Sequence, residues 1–163
     1  IESSGKLIIL PSDAQLRIPI SVGFKVPKKY LAQKKQLVLK NDKLTYVATI
    51  KNDSAYFAVK QLGWFQLSTD TSNPIVRVVS PLYKAKGLSN INALSFNIID
   101  RGSGIAKYKL FLNHKWVLAE YDAKNDLLTY SFDEETPFGS IQIKLEVEDK
   151  VGNQTILEDI FYR

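Results

Sequence analysis

The amino-acid sequence predicts an all-β protein of two tandem β-sandwich domains, and three observations carry that expectation. Turn-forming residues recur about every 8 to 12 positions. The runs between them are short and rich in β-branched and aromatic residues, and apolar residues almost never recur with the 3.6-residue period of a helix. The chain has 163 residues, 45% hydrophobic and 24% charged, enough apolar material to bury a core.

In the first half, "KLIIL" (Lys6 to Leu10), "LRIPI" (Leu16 to Ile20), "KQLVLK" (Lys35 to Lys40), "LTYVATI" (Leu44 to Ile50) and "GWFQLS" (Gly63 to Ser68) read as strands, with a turn at Lys40 to Asp42. Pro19 suits an edge strand or a strand end, because it cannot donate to a ladder. The polar segment "TDTSNP" (Thr69 to Pro74) ends this region, and the expected domains are 1–72, with an amino end that is not necessarily complete, and 73–163.

The second half predicts strands at Ile75 to Val79, Ala93 to Ile99, Ile105 to Leu112, Trp116 to Tyr121, Leu127 to Phe132, Ile141 to Asp149 and Thr155 to Tyr162. About seven short strands in this span match an immunoglobulin-like sandwich. The clearest is "IQIKLEVED": Ile141, Ile143, Leu145 and Val147 fall on one face, and Gln142, Lys144, Glu146 and Glu148 on the other. Burying those four aliphatic residues contributes about 1.5–3 kcal/mol each, and a one-residue slip would turn the charged set inward. Asn113-His114 fits a two-residue hairpin turn, and "DKVGN" another, with Gly152 and Asn153 expected in left-handed conformations.

Formal charge is +5, and it is unevenly placed: up to Asn73 there are 11 Lys+Arg against 5 Asp+Glu, and from Pro74 onward 11 against 12. The stretch "FKVPKKYLAQKK" concentrates Lys25, Lys28, Lys29, Lys34 and Lys35 around Tyr30. Two readings fit it. One is contact with an anionic polymer, such as nucleic acid, a teichoic-type polymer or an acidic glycan, with the tyrosine as a stacking face. The other, simpler reading is a solvated loop or edge strand with protective lysines.

Asp100, Asp122 and Asp149 stand at strand ends, where the carboxylate accepts hydrogen bonds from the turn that follows; together with Gly102, Gly104, Gly152 and Asn153 they read as turn chemistry. No segment supplies the alternating oxygen ligands of a calcium-binding EF-hand loop, and carboxylates brought together from separate loops are the alternative route to calcium. "DRGSGI" lacks the glycine spacing and the following helix of a phosphate-binding loop. Trp64 and Trp116 suggest either sugar-stacking platforms or core packing, and their apolar strand context favours the core.

With no cysteine there is no disulfide, thiolate nucleophile or zinc-thiolate site, and with His114 alone there is no multi-histidine metal site. No catalytic residue, metal or cofactor is expected. No run approaches the roughly 18 apolar residues needed to span a bilayer. Methionine is absent, so the chain is expected to be a piece or processed product of a longer protein.

"NPIVRVVSP", "FNIIDRGSGIAKYKLFLNHKWVLAEYDAKNDLLTYSFDEE" and "LEVEDKVGNQ", introduced by "LGWFQLSTDTSNP", resemble the C-terminal immunoglobulin-like β-sandwich region of lysostaphin-like (LytM-type) zinc metallopeptidases of Gram-negative bacteria. The likeness runs from Phe24 to Tyr162, strongest from Asp100 to Asn153. Two positions depart from the pattern: His114 stands where the hairpin usually has glycine, and Asn73-Pro74 where the linker usually has Pro-Pro. The resemblance implies non-catalytic accessory domains, located in the periplasm or at the cell surface, that position or target a peptidoglycan-cleaving domain upstream. Such peptidases hold zinc with two histidines and an aspartate, a set this chain does not contain. The implied partners are that upstream domain and peptidoglycan or another envelope polymer, with no nucleic acid and no membrane span. A rival reading is a stand-alone polymer- or carbohydrate-binding or adhesion module of the cell envelope.

Overall fold

The structure, a computed structural model, describes residues 6–9, 15–79 and 92–163. Leu10, the expected end of the first strand, lies outside them. Among the described residues the chain is all-β apart from one 3-10 helix, and it forms two compact units, Ile1–Ser72 and Asn73–Arg163.

Unit 1 contains β1 (Lys6–Ile9), β2 (Gln15–Lys25), the 3-10 helix (Lys28–Gln36), β3 (Leu37–Lys40), β4 (Thr45–Val47), β5 (Thr49–Lys51), β6 (Ser54–Gln61) and β7 (Gly63–Thr69). Its two sheets have the orders β1-β7-β3-β4 and β2-β6-β5. Between them, Leu37, Leu39, Phe65 and Leu67 of the first sheet meet Ala55, Phe57 and Val59 of the second, and Phe24 stacks on Phe57 at 5.7 Å. The alternation of "SAYFAVKQ" is as regular as any in the chain, yet β6 was not among the expected strands; its burial follows the period of two. Pro19 sits in the edge strand β2, within the register shift between Gln15 and Ile20.

The expected loop or edge strand around Tyr30 is instead a 3-10 helix. Pro27 fixes φ at −59° ahead of it and its carbonyl accepts from the Tyr30 N–H at 2.9 Å. The run is divided at Gln33 (φ −116°), in keeping with the short reach of 3-10 geometry. None of its residues is fully buried, which is why no apolar period betrays it in the sequence.

Unit 2 contains β8 (Ile75–Val78), β9 (Ala93–Ile99), β10 (Ile105–Leu112), β11 (Lys115–Val117), β12 (Glu120–Asp122), β13 (Leu127–Ser131), β14 (Ser140–Asp149) and β15 (Gln154–Tyr162). The sheets are β12-β13-β9-β8 and β11-β10-β14-β15. Leu94, Phe96, Ile98 and Leu128 face Leu110, Leu112 and the four aliphatic residues of β14, all four of which are buried.

The predicted strand from Trp116 to Tyr121 is a correction: it is two strands, β11 and β12, in opposite sheets, joined by Leu118 and Ala119. "LTYVATI" does the same in unit 1, with β4 and β5 in opposite sheets about Ala48. A continuous β-rich run does not encode where the chain leaves one sheet for the other, because both halves satisfy the same local preference.

Candidate functional site

The lysines of the basic stretch fall on two elements. Lys25 ends β2, while Lys28, Lys29, Lys34 and Lys35 lie on the 3-10 helix. Tyr30 anchors that helix: its ring packs on the core of unit 1 and its hydroxyl donates to the Leu67 carbonyl at 3.1 Å. The tyrosine is thus a structural peg, and the Lys29 ammonium stands 4.8 Å from its ring centroid. Lys34 bonds Asp53 and the Asn52 carbonyl, both at 3.1 Å. Lys25, Lys28, Lys29 and Lys35 are exposed and make no ion pair among the described residues.

The aspartates sit in turns. Asp100 Oδ2 accepts from the N–H groups of Gly102 and Gly104 at 3.2 and 2.6 Å. Asp122 accepts from Lys124 and Asn125, and its carboxyl is held below the usual range by the Asn125 side-chain amide. Buried Asp149 accepts from the N–H groups of Val151 and Asn153 and from the Asn153 side chain at 2.7 Å. Only Gly152 of the expected left-handed pair has positive φ (93°); Asn153 uses its amide to close the turn instead, a correction. Asp100 and Asp149 each bring one carboxylate oxygen within 4.8 Å of the other. Gly104 has φ +88°, and Lys150 Nζ lies 3.2 Å from where a Cβ there would stand.

His114 is exposed in its hairpin turn, where both Asn113 (φ 47°) and His114 (φ 67°) are left-handed, as a type I′ turn requires. The shallow depression beside it is lined by Gln142, Lys144, Glu158 and Asp159.

The two tryptophans correct the expectation of core packing. Trp64 is 60% exposed and Trp116 55% exposed. Each lies on the outward phase of its strand: Phe65 points into the core beside Trp64, and the period of two sends the larger ring out. The signal was present, since "GWFQLS" alternates Trp64-Gln66-Ser68 against Phe65-Leu67.

Trp116 borders a groove of about 540 Å³ where β11 crosses to β12. Leu118, 71% exposed, and Pro137 continue the apolar surface, and Glu120, Asp133 and Glu135 stand around it. The far wall, the loop from Asp133 to Pro137, is fixed by buried Thr136. Its hydroxyl has one proton, donated to Asp133 Oδ1 at 2.8 Å, so it accepts from the Asp133 N–H at 2.9 Å and from the Tyr130 hydroxyl at 2.7 Å. That bond from Thr136 holds the Asp133 carboxyl below the usual range. Arg163 clamps the same loop, donating to the Thr136 carbonyl at 2.7 Å and stacking its guanidinium on Phe132 and Phe138 at 4.8 and 4.4 Å.

No family model and no curated protein matches the chain. Among solved structures it is similar to the fibronectin(III)-like modules of Clostridium thermocellum CbhA, with 10% identity over 97% of this chain and 94% of that chain and a TM-score of 0.43. It is also similar to apo expansin of Clavibacter michiganensis, with 9% identity over 88% of this chain and 80% of that chain and a TM-score of 0.39.

Proposed function

We propose that the chain is a pair of non-catalytic β-sandwich modules of an exported cell-envelope protein, which hold a peptidoglycan-cleaving domain upstream of them against its polymer. The observation that supports this reading is the lysine set of unit 1. Lys28, Lys29 and Lys35 project from one short helix whose tyrosine is pinned to the core, and Lys25 stands just before it. A pinned scaffold presents several cations without the entropy cost of ordering a loop, so each adds to the attraction for a polyanion. The polymer is then an anionic envelope polymer, peptidoglycan or a teichoic-type or acidic glycan. The upstream domain supplies the zinc site and the hydrolysis.

Sedimentation with purified cell walls tests the reading. The chain is expected to be retained at low salt and released as salt rises, and the triple substitution Lys28→Ala, Lys29→Ala, Lys35→Ala is expected to abolish retention. Retention by the triple variant equal to that of the parent would refute the lysine contact. Hydrolysis of cell walls by the isolated chain, with or without added zinc, would refute the non-catalytic role.

One observation favours the second reading, a stand-alone carbohydrate-binding module. Trp64 lies exposed on the outer face of its sheet, with Ile8 as its cross-strand partner, a flat apolar platform open to a sugar ring. Retention on neutral polysaccharide that is lost in Trp64→Ala and insensitive to salt would favour it over the lysine contact.

A further inference from the structure

We infer that the groove at Trp116 is a second binding site, of opposite sign to the lysine helix, and that it takes a lysine-bearing peptide segment. Its volume of about 540 Å³ is within the range of roughly 300–1,000 Å³ seen for sites that enclose small ligands. Two features of its wall select the occupant.

The first is charge. Three carboxylates, Glu120, Asp133 and Glu135, stand around the groove against two cations, the Lys115 ammonium and the Arg163 guanidinium that clamps its wall, in a chain whose formal charge is +5. Lys115 is bound to Glu135 at 2.9 Å, and that pair is so exposed that its mutual attraction is weak and either member exchanges partners readily. Glu120 is exposed and makes no ion pair or side-chain hydrogen bond among the described residues. A neutral ligand leaves this negative field uncompensated; an ammonium neutralises it. Indole is also the best of the aromatic faces for a cation, and Leu118 lies next to it for an aliphatic stem.

The second feature is backbone. Among the described residues, β11 has a strand partner on one side only, β10, and β12 is likewise an edge strand, paired with β13 alone. The chain crosses between sheets here and residues of both edge strands line the groove, where a peptide main chain can add to an edge. The wall opposite is already ordered by Thr136 and Arg163, so little conformational freedom is lost on binding.

The test uses the full chain with Trp64→Phe, which leaves Trp116 as the sole tryptophan reporter, and the blocked tripeptide acetyl-Lys-Ala-Lys-amide as probe. Saturable change in Trp116 emission is expected, with a dissociation constant on the order of 1 mM. Glu120→Gln is expected to weaken binding roughly fivefold, and about 1 M salt, where the screening length is roughly 3 Å, to remove it. The same peptide with both lysines acetylated is expected to give no response. No saturable response to the lysine peptide would overturn the inference, as would equal binding of the acetylated peptide or indifference to Glu120→Gln. A response to chitin oligosaccharide in place of the lysine peptide would overturn it in favour of a sugar site. Loss of cell-wall retention through the helix lysines leaves this result unaffected, so the two readings fail separately.

Discussion

In unit 1, strand β7 is flanked on its outer side by β1, four residues drawn from the start of the described chain; in unit 2, the equivalent strand β14 is flanked by β15, nine residues drawn from its end. Of the remaining pairings among the described residues, all coincide except β8–β9, which only unit 2 has. β2–β6, β5–β6, β3–β4 and β3–β7 in unit 1 have counterparts β9–β13, β12–β13, β10–β11 and β10–β14 in unit 2, all antiparallel. The units thus share one seven-strand arrangement, with the outer position beside β7 or β14 filled from opposite ends of the sequence and β8 added beside β9 in unit 2. The lesson is that this sandwich is specified by which edges can pair, and a slot accepts any antiparallel segment of the right alternation. What differs is how much each segment buries. The core of unit 2 joins thirteen buried residues and that of unit 1 eight, among the described residues, so unit 2 is expected to be the more stable.

The largest test of that comparison is a matched cavity in each core. Phe57→Ala in unit 1 and Phe96→Ala in unit 2 each remove a fully buried ring and are expected to cost about 3–5 kcal/mol. Urea unfolding followed by unit-specific resonances should show unit 1 melted by its substitution and unit 2 weakened yet folded. Equal survival of both would break the claim that the smaller core is the weaker. A smaller difference is expected in the slot itself. Phe161→Ala, buried in β15, should cost about 3 kcal/mol, and Ile9→Ala, half-buried in β1, about 1–2 kcal/mol. Amide exchange should be fast along β1 and slow along β15.

Glycine positions sharpen the comparison further. At Gly104, φ +88° makes Gly104→Ala strained, at about 1 kcal/mol or more. At Gly23 the Tyr56 ring lies where a Cβ would be, 2.6 Å from its carbons, so Gly23→Ala must displace a half-exposed ring on the outer face of unit 1. A thermal melt is expected to shift less for Gly23→Ala, because that ring can move into solvent and the Gly104 backbone cannot change hand.

The smallest expected effect is acid sensitivity in unit 2. Asp122, Asp133, Glu146 and Glu148 titrate below the ordinary 3.8 and 4.5, held there by the Asn125 amide, the Thr136 hydroxyl, Lys144 and Lys107 respectively. Groups depressed in the folded state contribute stability that is full above those ordinary values and is lost as pH falls through the lowered ones. The melting temperature of unit 2 should therefore hold steady near neutrality and decline below about pH 4, by little, since all four are solvent-screened. A decline centred well above pH 5 would contradict this assignment.

Much of this was legible in the residues, and the misses have a common cause. The strands Ala93–Ile99 and Ile105–Leu112 follow from local preference, and the alternation of β14 fixed both its face and its burial. The turns Asp149–Asn153 and Asn113–His114 follow from residues that tolerate or cap left-handed backbone. The 3-10 helix was hidden because no buried face marks it, and its lysines, visible as composition, carried no geometry until Tyr30 was seen pinned. Trp116 reads as a core residue in the sequence because an apolar neighbourhood does not tell which phase of a strand is wet.

By itself the sequence determined that the chain would be all-β, where most strands run and which residues of β14 lie inside, because those outcomes follow from a period of two and from side-chain transfer out of water, both local. Only the tertiary structure decided that β1 would stand beside β7, that β4/β5 and β11/β12 would each divide between two sheets, and that Trp116, Leu118 and three carboxylates would border one groove. Those outcomes depend on which distant edges meet, a matter of long-range pairing and loop closure that no window of neighbouring residues contains.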